Sequence, residues 1–581
     1  MEFKLKRVPE EKQISIVKNV SGQVRPGELI AVLGPSGAGK TSLLNILSGR
    51  LWLSPNDELT GKVLFNGAPR DKTWPRRIGY IEASDAMFPY MKVEETIQFS
   101  ADTKLPESFT KGERKAMVDY MIKVLGLEKV RYSLIGGARV RGISSGERKL
   151  VSIAIEMINF PSLLIFDEPT SELDSAKAFT LMKYLKFVAH RFKIAVIITI
   201  HQPRLAIMNI FDGVMFLSHG SVVYQGPFEN CIEYFERESG IKLDKNENPA
   251  DYVLDLITSI PEDPKSESRV ERLITSWESH ANHDFDDHFE PSSSDTVFER
   301  PNSIFQEFAI LWKRYCTLFT RDTYTIAANI AQAVFLSLLL SFVYFQVGDD
   351  YAGVLDRLGL LYFICVSLVA TIGMPLWSVF AIHRNVYMRE RATGSYRVFP
   401  SYLAKFVCLL PFSMFLLFIF VVPLYFIAGL AMPFDVFLAF MAQVIALRFA
   451  AVTLGLMIAA ISSTVEFSLI IGPLLIIFLT VFGGVLADEN QITWILLWIR
   501  YLSIIYYAYQ SLAQNELDGN YYGSRDNREI QVPGSFYLNK LGLNDINQWY
   551  GLIAVVGLGI IFFIIGYFGL KRSTKPNIVL I

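Results

Sequence analysis

The chain has 581 residues, of which 51% are hydrophobic and only 19% are charged, and its formal net charge is −2. Soluble domains usually contain about 25% charged residues, so part of this chain must lie in a lipid bilayer or in unusually large cores. The near-neutral charge lacks the basic surplus of nucleic-acid-binding proteins, and no nucleic-acid partner is predicted.

Residues 1–260 have the pattern of an α/β domain. Short apolar runs, such as Leu29–Leu33 and Leu163–Phe166, alternate with helical patterns. These runs do not alternate between apolar and polar residues, which is typical of parallel strands buried on both faces. We therefore expect a parallel sheet flanked by helices.

A glycine-rich loop follows the first of these runs. The stretch GPSGAGKTS fits the pattern G-x-x-x-x-G-K-[ST] between a predicted strand and a predicted helix, which is the context that a phosphate-binding loop requires. Its backbone N–H groups can surround phosphate oxygens, and the helix N-terminus adds positive potential. Lys40 is expected to neutralise the β- and γ-phosphates, and Thr41 to ligate Mg²⁺. The predicted nucleotide-binding residues are Gly34, Pro35, Ser36, Gly37, Ala38, Gly39, Lys40, Thr41 and Ser42.

The stretch GISSGERK (residues 142–149) forms a second candidate anion site. Ser144, Ser145 and Gly146 precede a helical run that begins near Glu147. An ordinary helix N-cap would look the same. Because one active site needs only one phosphate cradle, we expect this segment to contact a nucleotide held by another copy of the chain.

Two carboxylates end the buried run in LLIFDEPTSELDS. Asp167 is predicted to hold Mg²⁺ through water, and Glu168 to orient or deprotonate the attacking water. His201 follows the run KIAVIITI, and a histidine at the carboxyl end of a parallel strand can contact a γ-phosphate. An acidic surface loop and a solvated histidine are the alternative interpretations.

Residues 261–301 are predicted to form a mobile polar linker with one short helix. A metal site is the alternative to a solvated acidic linker, because this segment contains His280, His283, Asp284, Asp286, Asp287 and His288. Residues 302–322 predict an amphipathic connecting helix, either along a membrane surface or packed on the first domain. Its apolar face would comprise Phe305, Phe308, Trp312, Tyr315 and Phe319.

Residues 323–581 predict an all-α domain with six membrane spans. Each span needs about 20 apolar residues to cross the hydrocarbon layer. The predicted spans are 326–345, 358–382, 406–430, 436–462, 467–486 and 550–570. Basic residues after the second and last spans place the first domain and both termini in the cytoplasm.

Two features complicate this set of spans. The run ITWILLWIRYLSIIYYAYQSL (492–512) is nearly long enough to cross, but a seventh span would place the basic tail outside. We therefore expect a re-entrant or interfacial segment within an exterior region, 487–549. Arg448 lies in the middle of the fourth predicted span, where a charge costs at least about 2.5 kcal/mol. It should face a partner subunit, a water-filled path or an acid such as Glu466, and both a structural ion pair and a substrate contact remain open.

The order of P-loop, GISSGERK segment, carboxylate strand and histidine resembles the nucleotide-binding domain of ABC transporters. A nucleotide domain before the spans resembles the subfamily G half-transporters, the White and breast-cancer-resistance type. The resemblance covers nearly the whole chain and extends to the stretches VSGQVRPGELIAVLGPSGAGKTSLLN, NPADYVLDLI, ERATGSYRVFPSYLAKFVCLLP and SLAQNELDG.

The resemblance implies an ATP-driven exporter of the plasma membrane or an organelle membrane. Two half-transporters, identical or different, would hold each ATP and its Mg²⁺ between the P-loop of one copy and residues 144–147 of the other. Asp174 is assigned to the same nucleotide site. The implied substrates are lipids, sterols or xenobiotics, with a polar metabolite as the alternative. The expected substrate path includes Phe363, Thr371, Phe478, Phe482, Val485 and Leu486.

The chain departs from the family pattern at Ala83, where the family has a glutamine that senses Mg²⁺. A methyl group cannot ligate a cation, so either Glu82 or Asp85 substitutes or the coupling is altered. The departure supports a second hypothesis, a regulatory or heterodimer subunit that binds ATP but hydrolyses it weakly. Glu168 and His201 favour hydrolysis.

Overall fold

The chain forms two compact units in a computed structural model. The first comprises Met1–Ser303, Met388–Tyr396 and Pro576–Ile581, and the second comprises Ile304–Tyr387 and Arg397–Lys575. Within these bounds the structure describes residues 6–7, 14–51, 57–70, 74–83, 85–137, 140–171, 173–244, 247–260, 263–281, 302–431, 433–462, 464–484, 498–523 and 531–574.

A six-stranded sheet forms the centre of the first unit. Its strands are β1 (Leu29–Leu33), β2 (Ile78–Ile81), β3 (Leu163–Phe166), β4 (Ala195–Thr199), β5 (Gly213–Ser218) and β6 (Ser221–Gly226). The order across the sheet is β6-β5-β1-β4-β3-β2, and all neighbours are parallel except the β5–β6 hairpin. Strands β1 to β4 are buried along their whole length, as strands covered on both faces should be. The predicted α/β fold is therefore confirmed.

Helices cover this sheet, and two short antiparallel pairs flank it. The pairs are Lys6–Arg7 with Ile14–Ser15, and Leu64–Phe65 with Ala68–Pro69. The helices are Lys40–Ser48, Trp74–Arg77, Val93–Lys104, Lys111–Val124, Ser145–Met157, Ser175–Phe192, Leu205–Met208, Phe228–Ser239, Pro249–Ile257 and Pro264–Ala281, with a 3₁₀ turn at Glu128–Val130.

The helix Pro264–Ala281 lies where a mobile linker was expected. Leu273 is fully buried, and the Trp277 ring packs 5.5 Å from that of Tyr224 and 5.8 Å from that of Tyr234. This half of the predicted linker thus belongs to the first unit, because a few apolar side chains on one helix face outweigh a polar composition.

The other half of the predicted linker, with His283, Asp284, Asp286, Asp287 and His288, lies outside the described residues. In the described part of the chain, no three His, Cys, Asp or Glu side chains form a group able to hold a metal ion.

The second unit is a helical bundle. Its long helices are α1 (Thr323–Val343), α2 (Tyr351–Ile382), α3 (Val398–Ala428), α4 (Phe434–Ile461), α5 (Val465–Val481) and α6 (Gln548–Ser573). Within the described ranges, five of these helices are long and apolar enough to cross a membrane, and α5 is a shorter apolar helix. The helix α5 ends at Val481, five residues before the end of the fifth predicted span, and residues 485 and 486 of that span lie outside the described residues.

The connecting helix Ile304–Arg321 precedes α1 and packs against α3. Its buried face carries two charged and two apolar residues, Glu307, Arg314, Leu311 and Leu318. Glu307 accepts a hydrogen bond from the backbone N–H of Arg397 at 2.9 Å and is 2% exposed. Phe305 and Trp312 on the opposite face are exposed, at 84% and 44%. An outward apolar face next to a spanning helix suits a membrane surface.

Between α5 and α6 the described residues form smaller elements. The helix Ile504–Leu517 is almost entirely buried and packs against α6, α4 and α2. Strands Tyr521–Gly523 and Gln531–Pro533 pair, and the helix Gly534–Lys540 follows. Residues 492–497 of the predicted re-entrant run lie outside the described residues, so its interfacial position stays a prediction. The helix Arg384–Ala392 follows α2 and runs from the second unit into the first.

Candidate functional site

The P-loop links the end of β1 to the helix Lys40–Ser48, and its path requires glycine. Gly39 caps that helix with φ 97°, and a Cβ there would lie 3.0 Å from the Ile16 carbonyl oxygen. A Cβ at Gly34 would lie 2.2 Å from the carbonyl oxygen of Leu217. Side chains are therefore excluded where the loop crosses neighbouring backbone, which leaves its N–H groups to surround an anion.

Lys40 is held inside this loop. Its Nζ donates to the carbonyl oxygens of Gly34 at 2.8 Å and Pro35 at 3.0 Å. Burial lowers the pKa of Lys40, and the negative charges of Glu168 and Asp167 oppose that shift. The ammonium is thus positioned by loop carbonyls that a phosphate can replace as acceptors.

The ends of β3 and β4 bring the predicted catalytic side chains together. Thr41 Oγ1 lies 3.3 Å from Asp167 Oδ1, and Glu168 Oε1 lies 2.7 Å from His201 Nε2. Glu168 has φ 47°, a backbone conformation uncommon for a residue with a side chain. Four residues from three separate segments of the sequence therefore meet at one edge of the sheet, where parallel strands bind ligands.

Thr199 is a member of this cluster that sequence reasoning missed. Its hydroxyl donates to Asp167 Oδ1 at 2.8 Å and accepts from the backbone N–H of Glu168 at 2.9 Å. One buried hydroxyl thereby orients both acids. The available signal was a hydroxyl residue in an otherwise apolar run, two positions before His201.

The GISSGERK segment has the geometry of an N-cap in this chain. The Ser144 hydroxyl accepts from the Glu147 N–H at 3.3 Å, and the Glu147 carboxylate accepts from the Ser144 N–H at 2.8 Å, which is a capping box. Asp174 likewise caps the helix Ser175–Phe192 and pairs with Lys177 Nζ at 2.8 Å. A nucleotide contact for either segment stays a prediction.

Glu82 and Asp85, the two candidates to replace the missing glutamine as a metal ligand, differ in their surroundings. Asp85 is nearly buried, and its carboxylate pairs with Lys149 Nζ at 3.0 Å and accepts from Ser152 Oγ at 2.7 Å. The Glu82 side chain is 42% exposed, and its one ion-pair contact among the described residues is a long one, 3.7 Å, with Arg50. Asp85 is therefore committed to the helix Ser145–Met157, whereas Glu82 remains available to a cation.

Glu82 also lies at the appropriate edge of the sheet. It directly follows β2, whose last residue, Ile81, accepts a hydrogen bond at 3.0 Å from the backbone N–H of Asp167. The ends of β2 and β3 are thus neighbours. Glu82 directly follows β2, and Asp167 directly follows β3.

The residues of the predicted substrate path are distributed over several places in the second unit. Phe363 on α2 is 52% exposed, and the Phe478 and Phe482 rings pack 5.0 Å apart. Thr371 accepts a hydrogen bond from Arg448 at 3.0 Å. Val485 and Leu486 lie outside the described residues.

Arg448 does not contact the expected acid. No carboxylate lies within 4 Å of its guanidinium among the described residues, Glu466 included, and its partners are oxygens of Leu368, Thr371 and Ser413. The ion pair between Arg448 and Glu466 that the sequence suggested is therefore wrong.

Three parts of the chain match family models. Residues 17–171 match a model described as ABC transporter, and residues 306–517 and 201–306 match two models described as ABC-2 type transporter. The matches at 17–171 and 306–517 agree with the two units, an ATP-binding cassette domain followed by a helical membrane domain, whereas the match at 201–306 lies almost entirely in the first unit.

Curated relatives align with this chain over most of its length. ABC transporter G family member 22 of Dictyostelium discoideum is 32% identical over 568 residues, covering 95% of this chain and 91% of that protein. The broad substrate specificity ATP-binding cassette transporter ABCG2 of Bos taurus is 31% identical, covering 99% and 92%. ABC transporter G family member 14 of Arabidopsis thaliana is 30% identical, covering 97% and 88%. The resemblance stated from the motifs is confirmed: the chain belongs to the G family of ABC transporters and is an integral membrane protein whose ATPase domain drives transport.

Proposed function

We propose that this chain is a half-transporter that pairs with a second half-transporter and hydrolyses ATP to export a hydrophobic or amphipathic compound. The observation that carries the proposal is the cluster of Thr41, Asp167, Glu168 and His201 at one sheet edge, with Glu168 and His201 2.7 Å apart. A chain that only binds nucleotide has no need of this acid and its histidine partner. The cluster therefore favours hydrolysis over the regulatory alternative.

The residues present fit a nucleotide and its metal ion. The P-loop N–H groups and Lys40 would hold the phosphates. Thr41 and Asp167 present two hard oxygen ligands 3.3 Å apart, which suits Mg²⁺. When bound, the ion supplies charge neutralisation at the phosphate oxygens.

Glu168 has the role of general base in this proposal. Its carboxylate accepts a proton from the water that attacks the γ-phosphorus, and the γ-phosphate leaves ADP. His201 holds one carboxylate oxygen, which orients the other. Thr199 fixes the backbone from which Glu168 projects.

Dimerisation is proposed because one chain supplies one P-loop and one GISSGERK segment. The second half-transporter, identical or different, would place its residues 144–147 against the nucleotide of the first. The cytoplasm would contain the first unit and both termini, and the plasma membrane is the proposed location. The Bos taurus relative is a transporter of broad substrate specificity, and lipids, sterols and xenobiotics are the substrate classes that we propose for this chain.

A reconstituted homodimer tests this proposal. We expect ATP, but not a non-hydrolysable analogue, to drive a panel of lipids, sterols and amphipathic drugs into inside-out proteoliposomes. Members of the panel that are transported should also stimulate phosphate release. A homodimer that binds ATP without releasing phosphate would instead support the regulatory subunit.

Removal of the Glu82 carboxylate should raise the Mg²⁺ requirement. We expect Glu82→Ala to increase the Mg²⁺ concentration for half-maximal ATPase by about tenfold, as the loss of an outer-shell metal partner does. Asp85→Asn is the control, because its carboxylate is already held by Lys149 and Ser152. An equal shift in both variants, or none in Glu82→Ala, would show that Glu82 does not replace the family's glutamine.

Thr199→Val should lower kcat without a matching change in KM for ATP. The valine keeps the shape of the side chain but removes hydrogen bonds to Asp167 and to the Glu168 backbone. Hydrogen bonds to charged groups contribute about 1.5–3 kcal/mol, so a decrease in kcat of about tenfold or more is expected. Thr199→Ser, which retains the hydroxyl, should restore most of the rate. A purely structural role for Thr199 would lower the melting temperature of the valine variant and leave kcat unchanged.

A further inference from the structure

Arg448 lies in the middle of α4 and links this helix to α2 and α3 through hydrogen bonds. It is 3% exposed. Its Nε donates to the Ser413 hydroxyl of α3 at 2.9 Å, and its Nη1 donates to the Leu368 carbonyl and the Thr371 hydroxyl of α2 at 2.9 and 3.0 Å. These partners are all neutral, so they fix the guanidinium in place without cancelling its charge.

Two other buried arginines of the second unit each pair with a carboxylate. Arg357 pairs with Glu516 at 2.6 Å, and Arg500 pairs with Asp545 at 3.3 Å. Arg448 has no carboxylate within 4 Å among the described residues. An uncompensated charge in the middle of a spanning helix is costly, and such residues usually serve a ligand or an ion path.

The Arg448 side chain lines a pocket between α1, α2, α3 and α4. Arg448 and Thr371 line it together with Asn329 and Gln332 of α1, and its volume is about 20 Å³, so only a small group fits inside it. Among the described residues, no hydrogen bond involves Arg448 Nη2 or the exposed Gln332 amide, whereas Asn329 Nδ2 donates to the Thr325 carbonyl at 2.7 Å. Three polar side chains able to donate hydrogen bonds thus share one pocket with no acid.

The rest of the pocket wall is apolar. It includes Leu336 of α1 and Leu416, Leu417 and Phe420 of α3. A ligand that fits such a wall has a negatively charged head and a hydrocarbon body.

We propose that this pocket binds the anionic group of an amphipathic substrate: a carboxylate, a sulfate or a phosphate ester. Arg448 supplies the countercharge, Gln332 and Asn329 donate hydrogen bonds, and the apolar wall contacts the hydrocarbon. A guanidinium is suited to this task because its planar array of N–H groups binds two oxygens of an oxyanion. The proposal rests on the proposed function, because it specifies the substrate class of the exporter.

The test compares ligands that differ only in charge. Binding of radiolabelled dodecanoate, dodecanol and dodecyltrimethylammonium is measured on the full-length chain in nanodiscs of phosphatidylcholine, without ATP. We expect dodecanoate to bind about tenfold more tightly than dodecanol, and Arg448→Gln to abolish that preference. An unchanged preference in Arg448→Gln would overturn the proposal.

Two further variants keep the test decisive. Gln332→Leu removes a donor at an exposed position, where misfolding is not expected, and should weaken dodecanoate binding about threefold while leaving dodecanol unaffected. Gln443→Leu is the matched control, since Gln443 is a buried polar residue of α4 outside the pocket lining, and it should retain the preference. A preference insensitive to Gln332→Leu and to Arg448→Gln would place the anion site elsewhere.

Nanodiscs with phosphatidylglycerol distinguish a substrate from a resident lipid. If phosphatidylglycerol displaced dodecanoate completely, the pocket would be a lipid site and the substrate assignment would be wrong. Because binding is measured without ATP, a chain that binds dodecanoate selectively but fails to transport would contradict the proposed function and leave this site intact.

Discussion

Replacing Glu168 with glutamine is expected to reduce steady-state ATP hydrolysis by at least about 100-fold, the lower range for loss of a positioned general base. Glutamine has nearly the same shape and keeps an oxygen for the hydrogen bond with His201, which the carboxylate makes at 2.7 Å. It cannot accept a proton from the attacking water. Phosphate release by the reconstituted dimer, measured at saturating ATP and Mg²⁺, gives the rate.

The variant should still bind nucleotide, because the P-loop and Lys40 are unchanged. Retained binding of a fluorescent ATP analogue would separate a loss of chemistry from a loss of affinity. Glu229→Gln is the matched control: the same substitution at an exposed position in the first turn of the helix Phe228–Ser239 should leave the rate unchanged. Hydrolysis by Glu168→Gln at more than a tenth of the wild-type rate would remove Glu168 from the role of general base.

The sequence predicted the parts of this site that depend on local chain order. The P-loop requires a strand, a glycine turn and a helix in succession, and all three occur within about 20 residues. Asp167 and Glu168 were found because each directly follows a buried strand. Thr199 was missed because its importance comes from β3 and β4 being neighbours, a pairing that no single segment reveals.

Long-range packing also explains the differences elsewhere. Composition predicted a mobile linker with one short helix, whereas Pro264–Ala281 is an 18-residue helix that belongs to the first unit. Three buried side chains are a small fraction of a polar segment but are enough to anchor one helix face. The choice between Glu82 and Asp85 depended on Lys149, which lies 64 residues after Asp85 in the chain. In the fold, the Lys149 ammonium lies 3.0 Å from the Asp85 carboxylate. Arg448 could be recognised from the sequence as a buried charge, but its neutral partners could not.

Breaking the ion pair between Arg357 and Glu516 should destabilise the second unit by less than the about 3–5 kcal/mol that a fully uncompensated buried charge costs, because Asp349 also lies 2.9 Å from Arg357. The pair joins α2 to the helix Ile504–Leu517 at 2.6 Å, and the exposed fractions of the two side chains are 6% and 1%. Arg357 also donates to the Gly429 carbonyl at 3.0 Å, and Glu516 accepts from the Ala431 N–H at 3.0 Å. The connection between α3 and α4 is therefore held by both partners.

Glu516→Gln tests this cluster, since the amide preserves the size of the side chain and removes its charge. In detergent, we expect a lower midpoint of thermal unfolding and a smaller monodisperse fraction than for wild type. Asp545→Asn is the control within the same unit: Asp545 is 45% exposed and lies 3.3 Å from Arg500, so its loss should cost at most about 1 kcal/mol. Equal midpoints for the two variants would mean that the buried pair contributes no more to stability than a solvated one.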